Sequence, residues 1–178
     1  NFAAWNEEMA QRHDPDLYHT QSPLPVRLIE SRRVTVIIRL LNVLENHRVL
    51  EVGCGDAFFT RLVQQEVGSL CAVDFDPVFG SDINARMEKN WEFEHRTHDI
   101  LEGPVEGEFD AAYTLDVIEH IAKESERTFV ENISDSLSAN GVLIIGTPTI
   151  QSQTYASEGS KAGHVNCKDQ RELRKLME

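Results

Sequence analysis

The sequence predicts an α/β fold: an open, doubly wound, mostly parallel sheet with helices on both faces. Three observations predict it. Short apolar-rich runs at 49–52, 70–73, 109–114 and 142–145 alternate with longer stretches of helical periodicity, the pattern of βαβ units buried on both faces. Each run ends in glycine or acidic residues. The first run enters a tight turn, Gly53-Cys54-Gly55-Asp56, that leads directly into the next helical pattern.

Bulk properties narrow the function. The chain has 178 residues, enough for one domain with a core of ordinary size. Its net charge of -13 repels phosphate backbones and weighs against a nucleic-acid partner. The dense basic cluster Arg27, Arg32, Arg33 and Arg39 reads as a solvated helix face. Cys54, Cys71 and Cys167 have neither disulfide nor metal-ligand spacing, which suits a reducing, cytoplasmic compartment. No run is long enough to span a bilayer, and the start does not read as a signal peptide. The sequence leaves the oligomeric state open.

Residues 1–25 are irregular, broken by Asp14-Pro15 and Pro23-Leu24-Pro25, and carry Trp5, Tyr18 and His19. They read either as a loosely attached arm or as a lid with aromatics aimed at a ligand. Residues 26–178 read as one domain. It opens on a helix with Val34, Ile37, Ile38 and Leu41 at i, i+3, i+4, i+7 and Pro25 in the first turn. The glycine-turn strand follows. A helix is predicted over 58–67, with Gly68 as its C-cap. The strand 70–73 ends at Asp74-Phe75-Asp76-Pro77, and a helix over 81–89 takes Ser81 as N-cap. A strand over 91–98 ends at Asp99-Ile100. After a glycine- and proline-bearing loop, the strand 109–114 leads into a long helix over 117–137 that Asn140-Gly141 stops. The last strand, 142–145, ends at Gly146-Thr147-Pro148. A polar loop covers 149–166, and a final helix begins near Asp169.

In an open parallel sheet, ligands bind outside the carboxyl ends of the strands. Those ends carry Gly53 to Asp56, Asp74, Asp99, Leu115-Asp116 and Gly146-Thr147. The turn departs from a dinucleotide fingerprint, because Phe58 holds the third glycine position. Glu51 and Asp56 would repel a pyrophosphate, and no Lys or Arg is close by in sequence. A cationic ligand without phosphate fits better. Asp74, about 20 residues on, stands where a carboxylate takes ribose hydroxyls. Phe75 and Ile100 offer apolar faces to an adenine, and Asp99 an acceptor for its amino group. The ligand these residues suggest contains adenosine.

These motifs, with Phe109-Asp110-Ala111-Ala112-Tyr113-Thr114-Leu115-Asp116-Val117-Ile118-Glu119-His120, resemble the successive motifs of class I S-adenosylmethionine-dependent methyltransferases across 49–148. The resemblance implies a Rossmann-like sheet and S-adenosylmethionine as cofactor, with S-adenosylhomocysteine as product. Glu51, Gly53, Cys54 and Gly55 would then belong to the methionine end of the site, and Asp74 to the ribose. Phe75, Asp99 and Ile100 would frame adenine, with Leu115 and Asp116 near the sulfonium. Val117-Ile118-Glu119-His120 followed by Gly146-Thr147-Pro148 is similar to the ubiquinone-biosynthesis-type O-methyltransferases, which implies a small-molecule or glycan- or lipid-linked acceptor methylated at oxygen. Thr114-Leu115-Asp116-Val117 differs from the motif of enzymes that methylate nucleobase amines. That family ends with two further strands, and this chain opens on Asn1 and stops in a helix at Glu178, so a truncated C-terminus is expected.

A hydroxyl acceptor benefits from a base. His120 and His164 are the candidates, with His19 a more distant one. His120 could equally serve to support its loop. Asp116, Glu119 and His120 fall at i, i+3, i+4, one helical face, and His164 could close the set around a divalent ion, as in the small-RNA 2′-O-methyltransferases. No metal ligand is assigned on this basis. An S-adenosylmethionine-binding subunit without catalysis is the remaining alternative.

Overall fold

The computed structural model describes residues 46–87 and 92–178. The predicted arm, the helix from Val26, the arginine cluster and His19 lie outside the described residues, as do the end of the 81–89 helix and the start of the 91–98 strand.

Five strands form one parallel sheet in the order β3-β2-β1-β4-β5. They are β1 (Arg48–Val52), β2 (Ser69–Asp74), β3 (Glu94–Thr97), β4 (Phe109–Leu115) and β5 (Leu137–Gly146). The chain runs outward from β1 to β3, then crosses back to β4 on the other side of β1. The strand order therefore reverses between β1 and β4, and the cleft at that point is where open α/β sheets bind ligands. Alternation along the central strands fills two core layers. Val49, Ala72 and Tyr113 face one side with Val63 of α1 (Thr60–Gln64) and Ile83 of α2 (Val78–Met87). Leu50, Val73 and Ala112 face the other, against Phe129 and Ile133 of α3 (Glu126–Asp135). Both faces of the sheet are covered, as the near-continuous apolar runs required.

The boundaries differ from the sequence expectation in several places. α1 is half the expected length and does not reach Gly68. α2 starts at Val78, and the Asp76 carboxylate accepts the Val78 N–H (2.9 Å). Ser81 is thus interior, its hydroxyl donating to the Val78 carbonyl (3.4 Å), not an N-cap. The predicted helix over 117–137 is three pieces: turns of 3-10 helix at Ile118–His120 and Lys123–Ser125, then α3. Extended backbone at Ile121 (ψ 129°) and Ala122 (ψ 142°) separates them. The apolar spacing did not register the break, because Ile118, Phe129 and Ile133 all pack in one layer regardless.

Asn140-Gly141 ends no helix. It sits in β5, where the pairing jumps from Phe109↔Leu137 to Ala111↔Val142. A Cβ at Gly141 would stand 2.7 Å from that of Leu137, so the irregularity requires glycine. The expected loop over 149–166 contains a 3-10 stretch, Ile150–Tyr155, and the short helix α4 (Glu158–Gly163). The last helix, α5 (Gln170–Met177), starts as expected, under a capping box between Asp169 and Glu172. No helix among the described residues is long and apolar enough to cross a membrane.

Candidate active site

The carboxyl ends of β1, β2 and β4, with the segment after β3, surround a cavity of about 430 Å³. Eight residues expected at the site line it: Gly53, Gly55, Asp74, Phe75, Asp99, Ile100, Asp116 and His120. Val117 and Phe129 also line it, as do Phe79 and His98. Sequence reasoning missed Phe79 and Phe129, because they arrive from helices packed on opposite faces of the sheet.

The glycine turn forms the floor. Gly53 (φ 81°) and Gly55 (φ 54°) both take left-handed backbone. The N–H groups of Gly53 and Cys54 donate to the Val73 carbonyl (2.8 and 3.1 Å), tying the turn to β2. A Cβ on Gly53 would come within 2.3 Å of Val117, whereas one on Gly55 would meet open space. Backbone is thus bare where a ligand could lie against it. Ala57, fully buried, also holds a left-handed φ of 56°, a strain that the sequence does not announce.

Asp74 is buried beside this floor. Its Oδ2 accepts the Gly55 N–H (2.9 Å) and its Oδ1 the Asp76 N–H (3.0 Å). Burial pushes the carboxyl up, and these bonds oppose it. Asp74 lines the cavity, and a carboxylate has about four acceptor positions in all, so it has capacity beyond these backbone bonds. Asp99 Oδ1 accepts the Leu101 N–H (2.9 Å), which fixes the loop after β3. Asp116 closes the other wall in left-handed backbone (φ 53°), its N–H donating to the Gly146 carbonyl (2.8 Å).

Glu51, Cys54, Leu115 and His164 do not line the cavity. Cys54 and Leu115 pack on the core layer that contains Val49 and Tyr113, and burial pushes the Cys54 thiol up. Glu51 lies beneath the turn, where burial raises its carboxyl to about 7. The hydroxyls of Thr60 and Tyr113 favour its charged form. Neither reaches hydrogen-bond geometry, so both remain buried without a partner among the described residues, as does Glu51 Oε2.

A second group of polar side chains is built by the turn after β4 and the segment after β5. His120 Nδ1–H donates to the Gly163 carbonyl (2.9 Å), which leaves Nε2 with its lone pair. His164 Nδ1–H donates to Gln153 Oε1 (2.9 Å), with the same consequence. The two rings stand 5.0 Å apart at 73°. Burial lowers the pKa of both, and Asp116 partly offsets this in each. Glu119, fully buried, accepts from Thr147 Oγ1 (3.1 Å). Ligand atoms of Glu119, His120 and His164 all lie within 4.8 Å of one another. The expected helical face of Asp116, Glu119 and His120 is absent, since only three residues there are helical and Asp116 precedes them in left-handed backbone. His164 does join the group, as the sequence suggested.

The family model described as "Methyltransferase domain" matches residues 49–141, and the chain belongs to that family. Its fold is that of class I S-adenosylmethionine-dependent methyltransferases. Among curated proteins it is similar to the mitochondrial ubiquinone biosynthesis O-methyltransferase of Schizosaccharomyces pombe, at 25% identity over 140 residues, 68% of this chain. The chain spans 46% of that relative's length. Among solved structures it is similar to the N-methyltransferase NodS from Bradyrhizobium japonicum WM9 in complex with S-adenosylhomocysteine. That match has a TM-score of 0.72 and 19% identity, covering 97% of this chain and 84% of NodS. It is also similar to Haemonchus contortus phosphoethanolamine N-methyltransferase 1, with TM-score 0.71 and 16% identity over 93% of this chain and 34% of that one.

Proposed function

We propose that the protein transfers a methyl group from S-adenosylmethionine to a small-molecule or glycan- or lipid-linked acceptor, at oxygen. The observation that carries this reading is the cavity itself: bare left-handed glycine backbone beside a buried, backbone-anchored Asp74 at the reversal of strand order. The residues present fit the donor. Asp74 accepts from the ribose hydroxyls, and the open side of Gly55, next to Gly53 on the cavity floor, lets the methionine chain approach the backbone. Phe75, Asp99 and Ile100 frame the adenine. Asp74, Asp99 and Asp116 give the cavity an acidic lining, suited to a cation. Leu115 supports the sulfonium wall from the core side, as Cys54 and Glu51 support the turn. The relative from Schizosaccharomyces pombe, named an O-methyltransferase, supports the choice of oxygen.

When bound, S-adenosylmethionine supplies an electrophilic methyl on a sulfonium. The chain's own residues hold the acceptor hydroxyl in line and take its proton as the O–C bond forms and the S–C bond breaks. His120 Nε2 is the base, since its Nδ1–H is committed to Gly163, and His164 stands beside it. Alignment contributes up to roughly 7–11 kcal/mol in such displacements. The three free cysteines support a reducing compartment such as the cytoplasm.

Calorimetry with S-adenosylmethionine and S-adenosylhomocysteine tests the reading. Asp74→Ala is expected to weaken both roughly 10- to 100-fold through lost charge-assisted hydrogen bonds. Failure of the wild type to bind either, with Asp74→Ala no different, sinks it. Donor binding without turnover across a broad acceptor panel would instead support the non-catalytic subunit.

The clustering of Glu119, His120 and His164 favours a second reading, metal-assisted transfer. One carboxylate and two neutral imidazoles suit a divalent ion, which would polarise the acceptor oxygen. Turnover unaffected by chelators and by added magnesium, manganese or zinc removes this version. The net charge of -13 disfavours an RNA acceptor for it.

A further inference from the structure

Among the described residues, a buried ammonium lies outside the cavity and has no part in the chemistry above. Lys168 is 5% exposed, unusual for a residue type that keeps its ammonium in water. Its Nζ pairs with Glu126 Oε2 and donates to Asn166 Oδ1 (2.9 Å). Asn166 Nδ2 donates in turn to Glu126 Oε2 (2.9 Å). The three side chains form a closed triangle, each bonded to the other two. Burial opposes the charge on Glu126, but Lys168 and Asn166 outweigh it and hold that carboxyl below its ordinary value.

Such a triangle is a poor source of stability, since well-packed apolar residues often do as well. Its value lies in direction. Glu126 is the first residue of α3. Asn166 also donates its backbone N–H to the carbonyl of Glu119 (2.9 Å), next to His120. The Lys168 carbonyl accepts the Ile150 N–H (3.2 Å), which ties in the chain leaving β5. Between these anchors the chain carries the Gly163 carbonyl that orients His120 and the His164 ring that faces it.

We propose that Lys168 is a positioning residue: with Glu126 and Asn166 it clamps the segment after β5 to the start of α3, and so sets the orientation and tautomer of His120 and the facing of His164. The functional weight of this clamp rests on the reading of His120 and His164 as the acceptor-side pair.

The test uses the full-length protein and its variants Lys168→Met, Glu126→Gln and Lys168→Arg. Long-range 1H–15N spectra of the imidazoles report which ring nitrogen carries the proton, and ring-to-ring cross-peaks report the pair's approach. Wild type is expected to show the Nδ1–H form at His120 and His164, with cross-peaks between the rings. Lys168→Met and Glu126→Gln are expected to move His120 to mixed tautomers and to lose the cross-peaks, with S-adenosylhomocysteine affinity within twofold of wild type. Lys168→Arg is expected to recover the wild-type pattern at least in part. Glu126→Gln, nearly isosteric at a partly exposed position, carries the test if Lys168→Met does not fold. Unchanged ring signals in the variants, with only the melting temperature lowered, overturn the proposal. A wild type that binds no S-adenosylhomocysteine yet shows the ring pattern and its loss refutes the donor reading and leaves the clamp standing.

Discussion

Gly53 is fixed by two independent constraints, its left-handed φ of 81° and the approach of Val117 to where a Cβ would stand. Gly53→Ala should cost roughly 1–3 kcal/mol of stability and weaken donor binding. Adding Val117→Ala should relieve the clash but not the backbone strain, so the double variant should recover only part of the loss in denaturant titration. Full recovery would mean that the φ constraint is unimportant. Glu51 makes a separate prediction. Its folded-state pKa is raised from 4.5 to about 7 by burial, so the folded state binds this proton more tightly than the unfolded one. The group's contribution is then fully present below about pH 4.5 and is lost as pH rises through 7, a swing of up to roughly 3 kcal/mol. Melting curves from pH 5 to 8 should show wild type falling relative to Glu51→Gln, and parallel curves would refute this. The residue types at Gly53 and Asp74 were legible from spacing alone. The left-handed Ala57 and Asp116 were not, because neither is glycine and both are held there by tertiary contacts.

At the scale of elements, start and stop signals worked where they were local. Asp169 and Glu172 cap α5 with hydrogen bonds of 2.8 and 3.0 Å, and both partners lie within one turn of sequence. Asp169→Ala should destabilise by about 1 kcal/mol, with amide exchange rising first in α5. Equal exchange in variant and wild type would show that packing, not the cap, holds the helix. Signals failed where an element's ends answer to distant partners. The segment 117–137 keeps one apolar face, so its periodicity reads as one helix. The break at Ile121 and Ala122 instead turns Glu119 and His120 toward the segment after β5. Asn140-Gly141 reads as a stop signal, yet it serves the pairing irregularity between β4 and β5. Short-range pattern cannot tell a turn glycine from one that a neighbouring strand requires.

For the whole molecule, a ligand seated where the strand order reverses touches the ends of several strands and α3 together. Its binding should therefore stabilise the domain as a unit. At S-adenosylhomocysteine concentrations about 100 times Kd, the gain is about 2.7 kcal/mol, or roughly 5–10 °C in melting temperature for a domain of this size. A thermal scan that does not move with S-adenosylhomocysteine, in a protein shown to bind it, would mean that the site does not couple to the sheet.

The sequence by itself determined the alternation of strand and helix, the parallel sheet and the acids and glycines at the strand ends. These are written in local periodicity and turn chemistry, which act over a few residues. Only the tertiary structure decided which of those residues share the cavity. Glu51, Cys54 and Leu115 turned to the core side, because successive side chains at a strand end point to opposite faces and a motif does not say which face is open. Only the tertiary structure brought His164 to within 5.0 Å of His120, across 43 residues whose approach depends on a buried lysine and its two partners.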